Sequence, residues 1–250
     1  VTPREYLARR DVVPGGTAAL DVQVTPMNDE RTPTLNERFG ALRAALHHPD
    51  RDQAWRELRD ALDRWPPDPS LVDGVRYALD HTRAWDGAVR CAAPDTWIAR
   101  ALAGEREPRL ALATDVSLAG HARDARRVSA LLGQLGARLA RLSLADLDQR
   151  GRLMGVAMLV ARRPELTGLR ELDVRYTDFS DPAALLCSAA SHLGRLERID
   201  ARWTDLTPVG RSMLMRSRHL RALREVEFTA YGSSLPGTPE PSILPPKDST

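Results

Sequence analysis

The pattern apolar-x-x-apolar-x-apolar recurs five times in the second half of this chain, with its middle apolar residue at Val116, Leu142, Leu172, Ile199 and Val226. The intervals are 26, 30, 27 and 27 residues, and the units read ATDVSL, LARLSL, LRELDV, LERIDA and LREVEF. A unit of this length holds one short strand, a turn and one helix that returns the chain. It cannot bury its apolar face alone, so neighbouring units must stack and share a core. Helices carrying an apolar stripe are expected over Asp124 to Leu135, Gly151 to Arg162, Pro182 to Leu193 and Pro208 to Leu220. Pro182 and Pro208 suit a first helical turn, where no backbone N–H is required.

The segments LRELDVRYTDF, from Leu169 to Phe179, and LERIDARWTDL, from Leu196 to Leu206, fit the pattern LxxLxLxxNxL most closely. On these residues the chain resembles the leucine-rich repeat family over roughly residues 110 to 231. A period near 27 with helices of about ten residues looks like its ribonuclease-inhibitor-type subclass. The resemblance implies an α/β fold: a short solenoid with parallel strands on a concave face and helices on a convex face. Thr177 and Thr204 stand where the family usually has Asn or Cys, and the first two copies put His121 or Leu147 there. These departures weaken the buried polar ladder that the family would supply.

Four regions are expected. Residues 1–34 are poorly ordered, because Pro3, Pro14, Gly15, Gly16 and Pro26 interrupt every period; Met27 is read as the true start, with Val1 reflecting an alternative or misannotated start codon. Residues 35–108 form a small helical region or cap. Phe39, Leu42 and Leu46 share one helical face, as do Trp55, Leu58, Leu62 and Trp65. Further stretches run through Leu71, Val75 and Leu79, and through Trp97, Ile98 and Leu102. Asp50 or Asp52 caps the second helix, Ser70 precedes the third, and Pro66-Pro67 ends the second. Residues 109–231 hold the repeats. Residues 232–250 form a flexible or extended tail with five prolines, either an overhang or a ligand for aromatic grooves.

Composition narrows function mostly by exclusion. Basic and acidic residues nearly cancel, 36 against 34, so no strong field draws nucleic acid and no acidic excess makes a solvating tail. Lys247 is the only lysine, a bias that GC-rich bacterial codon usage produces. Cys91 and Cys187 are too few for a disulfide framework and lack metal-binding spacing. With no segment apolar enough to span a bilayer, the expected setting is the bacterial cytoplasm.

In the repeat register, residues between the strand apolars point outward and stack about 4.8 Å apart across strands. One column reads Ser117, Ser143, Asp173, Asp200, Glu227. The next reads Ala119, Ala145, Arg175, Arg202, Thr229, and the third Gly120, Asp146, Tyr176, Trp203, Ala230. Aromatic and arginine residues dominate interface hot spots. Asp173, Arg175, Tyr176, Asp200, Arg202, Trp203 and Glu227 are therefore the candidate protein-binding residues. The competing expectation is that the aromatics pack over the arginines or against the chain before the tail, while the Asp and Arg columns neutralise each other. Like charges stacked in the acidic column would cost stability unless paired.

No GxGxxG, P-loop, GxSxG or HExxH motif occurs, and Cys187 sits in the apolar run ALLCSAA as a small core residue. Glu165, His192 and His219 share a repeat-equivalent column without an evident further metal ligand. His47, His48, Asp50 and Asp52 fall at a helix break. The expected protein is non-enzymatic, without cofactor or small-molecule substrate, a regulator or scaffold that binds another protein through the concave face. The alternative is nucleic-acid association through convex-side arginines: Arg123, Arg126 and Arg127, or Arg211, Arg216, Arg218, Arg221 and Arg224.

Overall fold

A computed structural model describes residues 32–85, 89–119, 125–147 and 155–229. The expectations placed on residues 1–31, on Met27, Gly120, His121, Arg123 and Ala230, and on the tail from Gly232 lie outside the described residues. All elements below belong to one unit that begins at Leu35.

Four helices come first: α1 (Leu35–Leu46), α2 (Arg51–Asp63), α3 (Ser70–Thr82) and α4 (Asp95–Leu102). The apolar spacing predicts their buried faces. Leu42, Leu46, Trp55, Leu58, Leu62, Trp65, Leu71, Val75, Trp97, Ile98 and Leu102 are all buried, and Phe39 and Leu79 lie half-buried against them. Asp50 is the cap of α2: its carboxylate accepts from the N–H groups of Asp52 and Gln53, satisfying donors the first turn leaves open. Ser70 opens α3 from inside the helix rather than preceding it. Asp68 takes its N–H at 2.8 Å, while the Ser70 hydroxyl accepts from Trp65 Nε1. α4 stops at Gly104, whose φ of 94° is the left-handed turn that glycine enters without strain.

The repeats build the sheet. Strands β1 (Asp115–Ser117), β2 (Arg141–Ser143), β3 (Glu171–Asp173), β4 (Arg198–Ala201) and β5 (Glu225–Phe228) lie parallel in sequence order. Val116, Leu142, Leu172, Ile199 and Val226 are aligned partners. The five residues read from the spacing are thus one buried row. Between the strands run α5 (Ala125–Leu132), α6 (Gly155–Ala161), α7 (Asp181–Ser188) and α8 (Pro208–Met215). The molecule is a mixed α/β protein with a five-stranded parallel sheet and, among the described residues, eight α-helices.

The repeat helices end earlier than their apolar stripes do. α7 stops at Ser188 and a 3-10 turn, Ser191–Leu193, follows; Pro164–Leu166 does the same after α6. The chain must swing from helix to strand within about ten residues, and the tighter turn aims Leu166 and Leu193 into the core. The last apolar residues of three of the stripes, Leu135, Leu193 and Leu220, are therefore buried without being α-helical. Repeats are also stitched at their starts: the Asp181 carboxylate accepts from both the N–H and the hydroxyl of Thr207, at 2.9 and 2.6 Å. Backbones approach so closely at Gly168 that a Cβ there would stand 1.9 Å from the carbonyl oxygen of Ala137.

One apolar core runs from Leu42 through Val226, so helical region and sheet are packed as a continuous body. A buried ion pair sits at their junction. Arg109 and Glu107 are each about 3% exposed and meet at 2.6 Å; the same guanidinium donates to the Leu62 carbonyl oxygen and lies 5.5 Å from the Trp97 ring. The first edge of the sheet is covered as well, since Ala92 bridges to Asp115 in parallel sense.

Candidate functional site

Strand residues two apart share a face, so the residues flanking the buried row project together from the sheet. The residue before each buried apolar forms a row that the column reading passed over: Asp115, Arg141, Glu171, Arg198, Glu225, aligned strand to strand. Its charges alternate. Arg141 Nε lies 2.8 Å from Glu171, and Arg198 Nε lies 2.9 Å from Glu225. The hydrogen bond from Arg141, aided by Arg198 and Arg90, holds the Glu171 carboxyl below its usual range. Asp115 is pushed the other way, because burial outweighs the attraction of Arg90 and Arg141. The signal was present in the sequence as a sign that flips from one repeat to the next.

The predicted acidic and basic columns interlock. Arg175 holds Asp173 with two hydrogen bonds, 2.9 and 2.8 Å, and reaches Asp200 on the next strand at 3.3 Å. Arg202 repeats this geometry with Asp200, at 3.0 and 2.7 Å, and reaches Glu227 at 3.3 Å. The Ser143 hydroxyl donates to Asp173 at 2.9 Å. Burial raises the Asp173 carboxyl, but the bonds from Arg175 and Ser143 prevail and hold it below the usual carboxylate range. The cost expected of stacked like charges is therefore not incurred, since a guanidinium stands between each pair of carboxylates. The two rows border a cleft of about 350 Å³, lined among others by Arg90, Glu171, Asp173, Arg175, Asp200 and Glu227.

The third column has a backbone property no periodicity reveals. Asp146, Tyr176 and Trp203, equivalent residues in successive repeats, all adopt positive φ, at 59°, 57° and 61°. Asp enters this region readily; bulky aromatics do so rarely, at a cost on the order of 1–2 kcal/mol each. Their rings lie parallel, 6.2 Å between centroids with 7° between planes. Tyr176 is 55% exposed and Trp203 half-buried. The two rings pack on each other. Thr177 and Thr204 close the same turns, each donating its hydroxyl to the carbonyl three residues back, Val174 and Ala201, at 2.6 and 2.7 Å. Both hydroxyls are thus used in local bonds within their own turns.

Five of the seven predicted interface residues, Asp173, Arg175, Asp200, Arg202 and Glu227, are joined by ion pairs across β3, β4 and β5, and Tyr176 and Trp203 stack on each other in the turns that follow β3 and β4. The other sequence candidates scatter. Arg126, Arg127, Arg211, Arg216, Arg218, Arg221 and Arg224 are exposed on or near α5 and α8 and the loop after α8; Arg211 lies 5.7 Å from the Phe228 ring. His192 Nε2 is 3.2 Å from the Val160 carbonyl oxygen, and His219 accepts from Arg218. Among the described residues no group of three His, Cys, Asp or Glu could hold a metal ion, and no helix is long and apolar enough to cross a membrane. Burial pushes the Cys91 thiol up to about 11 and the Cys187 thiol up to about 12, so both are poor nucleophiles at neutral pH. Compared with known protein families, characterised proteins and solved structures, the chain shows no match.

Proposed function

We propose that this chain is a leucine-rich-repeat solenoid that binds another protein through the outward, concave face of its last three repeats, as a non-enzymatic regulator or scaffold in the cytoplasm. The observation that carries this reading is the aromatic pair at the turns after β3 and β4. Glycine or aspartate would occupy those left-handed positions with less strain, yet Tyr176 and Trp203 stand there, stacked, with Tyr176 more than half exposed. Arg175 and Arg202 precede them, held rigid by Asp173, Asp200 and Glu227. Aromatic rings flanked by arginines are the residue types that concentrate binding energy at protein interfaces.

The test is quantitative affinity capture from a lysate of the source organism, comparing wild type, Tyr176→Asn/Trp203→Asn, and Met213→Asp. Asparagine tolerates the left-handed backbone, and Met213 lies on α8, away from the sheet. A protein retained by wild type and Met213→Asp but lost from the double variant supports the reading. Equal retention by all three moves the contact off this face. Capture of nucleic acid that vanishes with added salt would favour the exposed arginines instead.

A further inference from the structure

Among the described residues, the two ends of the sheet are built differently. In each interior strand, the residue two before the buried apolar offers its carbonyl oxygen to the next strand. Thr114, Ala140, Arg170 and Glu197 accept from Arg141, Glu171, Arg198 and Glu225 respectively. The residue two after the buried apolar donates onward in turn: Leu118 to Ser143, Leu144 to Asp173, Val174 to Asp200. The equivalent groups of β5 are the Arg224 carbonyl and the Phe228 N–H. Among the described residues no strand follows β5 to take them. At the opposite edge the matching groups are used, since Cys91 accepts from Thr114 and Asp115 while Ala93 donates to Asp115.

The charge row makes the same distinction. Each acid inside it has a cation on both sides: Asp115 lies between Arg90 and Arg141, and Glu171 between Arg141 and Arg198. Arg90 belongs to the segment that covers the first edge. Glu225 has Arg198 on one side, at 2.9 Å, and, among the described residues, no further strand on the other, and its side chain is half-exposed. Continuing the row calls for a basic residue beside Glu225. Continuing the buried row calls for an apolar residue beside Val226, and Glu227, reached by Arg198 and Arg202 from the β4 side, faces the position two further on.

We propose that β5 is a docking edge for an extended segment of a partner protein in which basic and apolar residues alternate, added to the sheet as a sixth strand. Backbone bonds to Arg224 and Phe228 supply register-independent affinity, and the basic positions over Glu225 and Glu227 supply specificity. A second copy of this chain is a poor occupant. The outward residues of its β5 are Glu225 and Glu227, so antiparallel self-pairing sets acid against acid. Glu227 is shared with the face proposed above, where it holds Arg202, but Tyr176 and Trp203 are left unchanged in the test, so loss of peptide binding and loss of capture through the aromatic pair are read separately.

The probe is a labelled peptide with the core Arg-Val-Arg-Val-Arg, titrated into the full chain by fluorescence anisotropy, beside its charge-reversed Glu-Val-Glu-Val-Glu form. A third peptide carries N-methyl groups on alternate residues, which removes the edge hydrogen bonds while keeping charge and side chains. Wild type binds the basic peptide, and Glu225→Arg/Glu227→Arg weakens it by about tenfold or more, the effect of two cross-strand pairs turned from attraction to repulsion. The same variant gains binding to the acidic peptide, which also shows that it is folded. N-methylation abolishes binding in both pairings. The proposal is overturned if the basic peptide fails to bind at millimolar concentration, if the variant binds both peptides as wild type does, or if N-methylation has no effect. Sedimentation showing a wild-type dimer that the double variant disperses would assign the edge to a second copy and overturn it equally.

Discussion

Replacing Arg109 by methionine isolates what joins the helical region to the sheet. The Arg109 guanidinium makes two 2.6 Å bonds to the Glu107 carboxylate, both side chains being about 3% exposed. It also donates to the Leu62 carbonyl and to Asp63, at 3.2 and 3.3 Å. Methionine keeps much of the volume against Trp97 but leaves Glu107 as a buried anion whose nearest other cation is Arg100, 3.7 Å away and half-exposed. Breaking a buried pair by removing one partner costs about 3–5 kcal/mol, and the unpaired Leu62 carbonyl adds about 1 kcal/mol. Arg100 offsets part of this, so Arg109→Met is expected to lose about 3–4 kcal/mol.

Urea unfolding followed by tryptophan fluorescence measures this directly, because Trp97 lies against the guanidinium. The companion variant Arg109→Met/Glu107→Leu removes the orphaned charge as well. It should recover more than half of the loss, since an apolar pair of similar volume commonly replaces a buried ion pair at little cost. A loss below about 1 kcal/mol in the single variant, or a double variant that loses as much as the single one, would refute the assignment of this pair as the electrostatic lock of the junction.

Other consequences follow from the same geometry. Asp173 has its folded-state pKa held below its unfolded one, so its contribution is present at neutral pH and is lost as pH falls below about 4, through the folded value. Asp173→Asn should therefore be less stable than wild type at pH 7, with the gap closing in acid denaturation midpoints measured below pH 4. At Tyr176 the left-handed backbone makes Tyr176→Gly more stable than Tyr176→Ala in thermal unfolding, although glycine elsewhere costs the folded state; the opposite order would remove strain from the account. Cys91 and Cys187, both buried with raised pKa, should resist iodoacetamide at pH 7.5 and react together once the chain is unfolded in guanidinium, as mass spectrometry would show.

Legibility in the sequence followed periodicity. The row Val116, Leu142, Leu172, Ile199, Val226 was readable to the residue because an aligned parallel strand repeats its apolar positions at the interval of the whole unit. The amphipathic stripes of α2, α3 and α4 were readable for the same reason. Helix ends were not, because Leu193 is apolar whether its backbone is α-helical or a 3-10 turn, and burial alone cannot distinguish them. The face was half legible. Its acidic, basic and aromatic columns stand at fixed offsets from the apolar row, but how Arg175 divides its bonds between Asp173 and Asp200 depends on side-chain geometry. The Arg109–Glu107 pair was invisible, since two charged residues two apart in an irregular segment look like any solvated loop.

If the proposed face binds a partner, the charge ladder and the aromatic pair would play different parts. Arg175 and Arg202 are each clamped by two carboxylates, so ordering them on binding costs little of the side-chain entropy that free arginines would lose. Their carboxylate partners are correspondingly engaged, and a ligand that sought to pair with Asp200 would first have to displace one of two guanidiniums. The ladder is thus a stiff, largely self-neutralised platform. In that reading, apolar area still open to water would drive association, and the Tyr176–Trp203 stack supplies it. Strain kept at both positions by the turns beneath them holds the rings where a partner can cover them. Loss of the rings should therefore raise the dissociation rate of a bound partner, whereas loss of a ladder residue should change its selectivity and salt dependence.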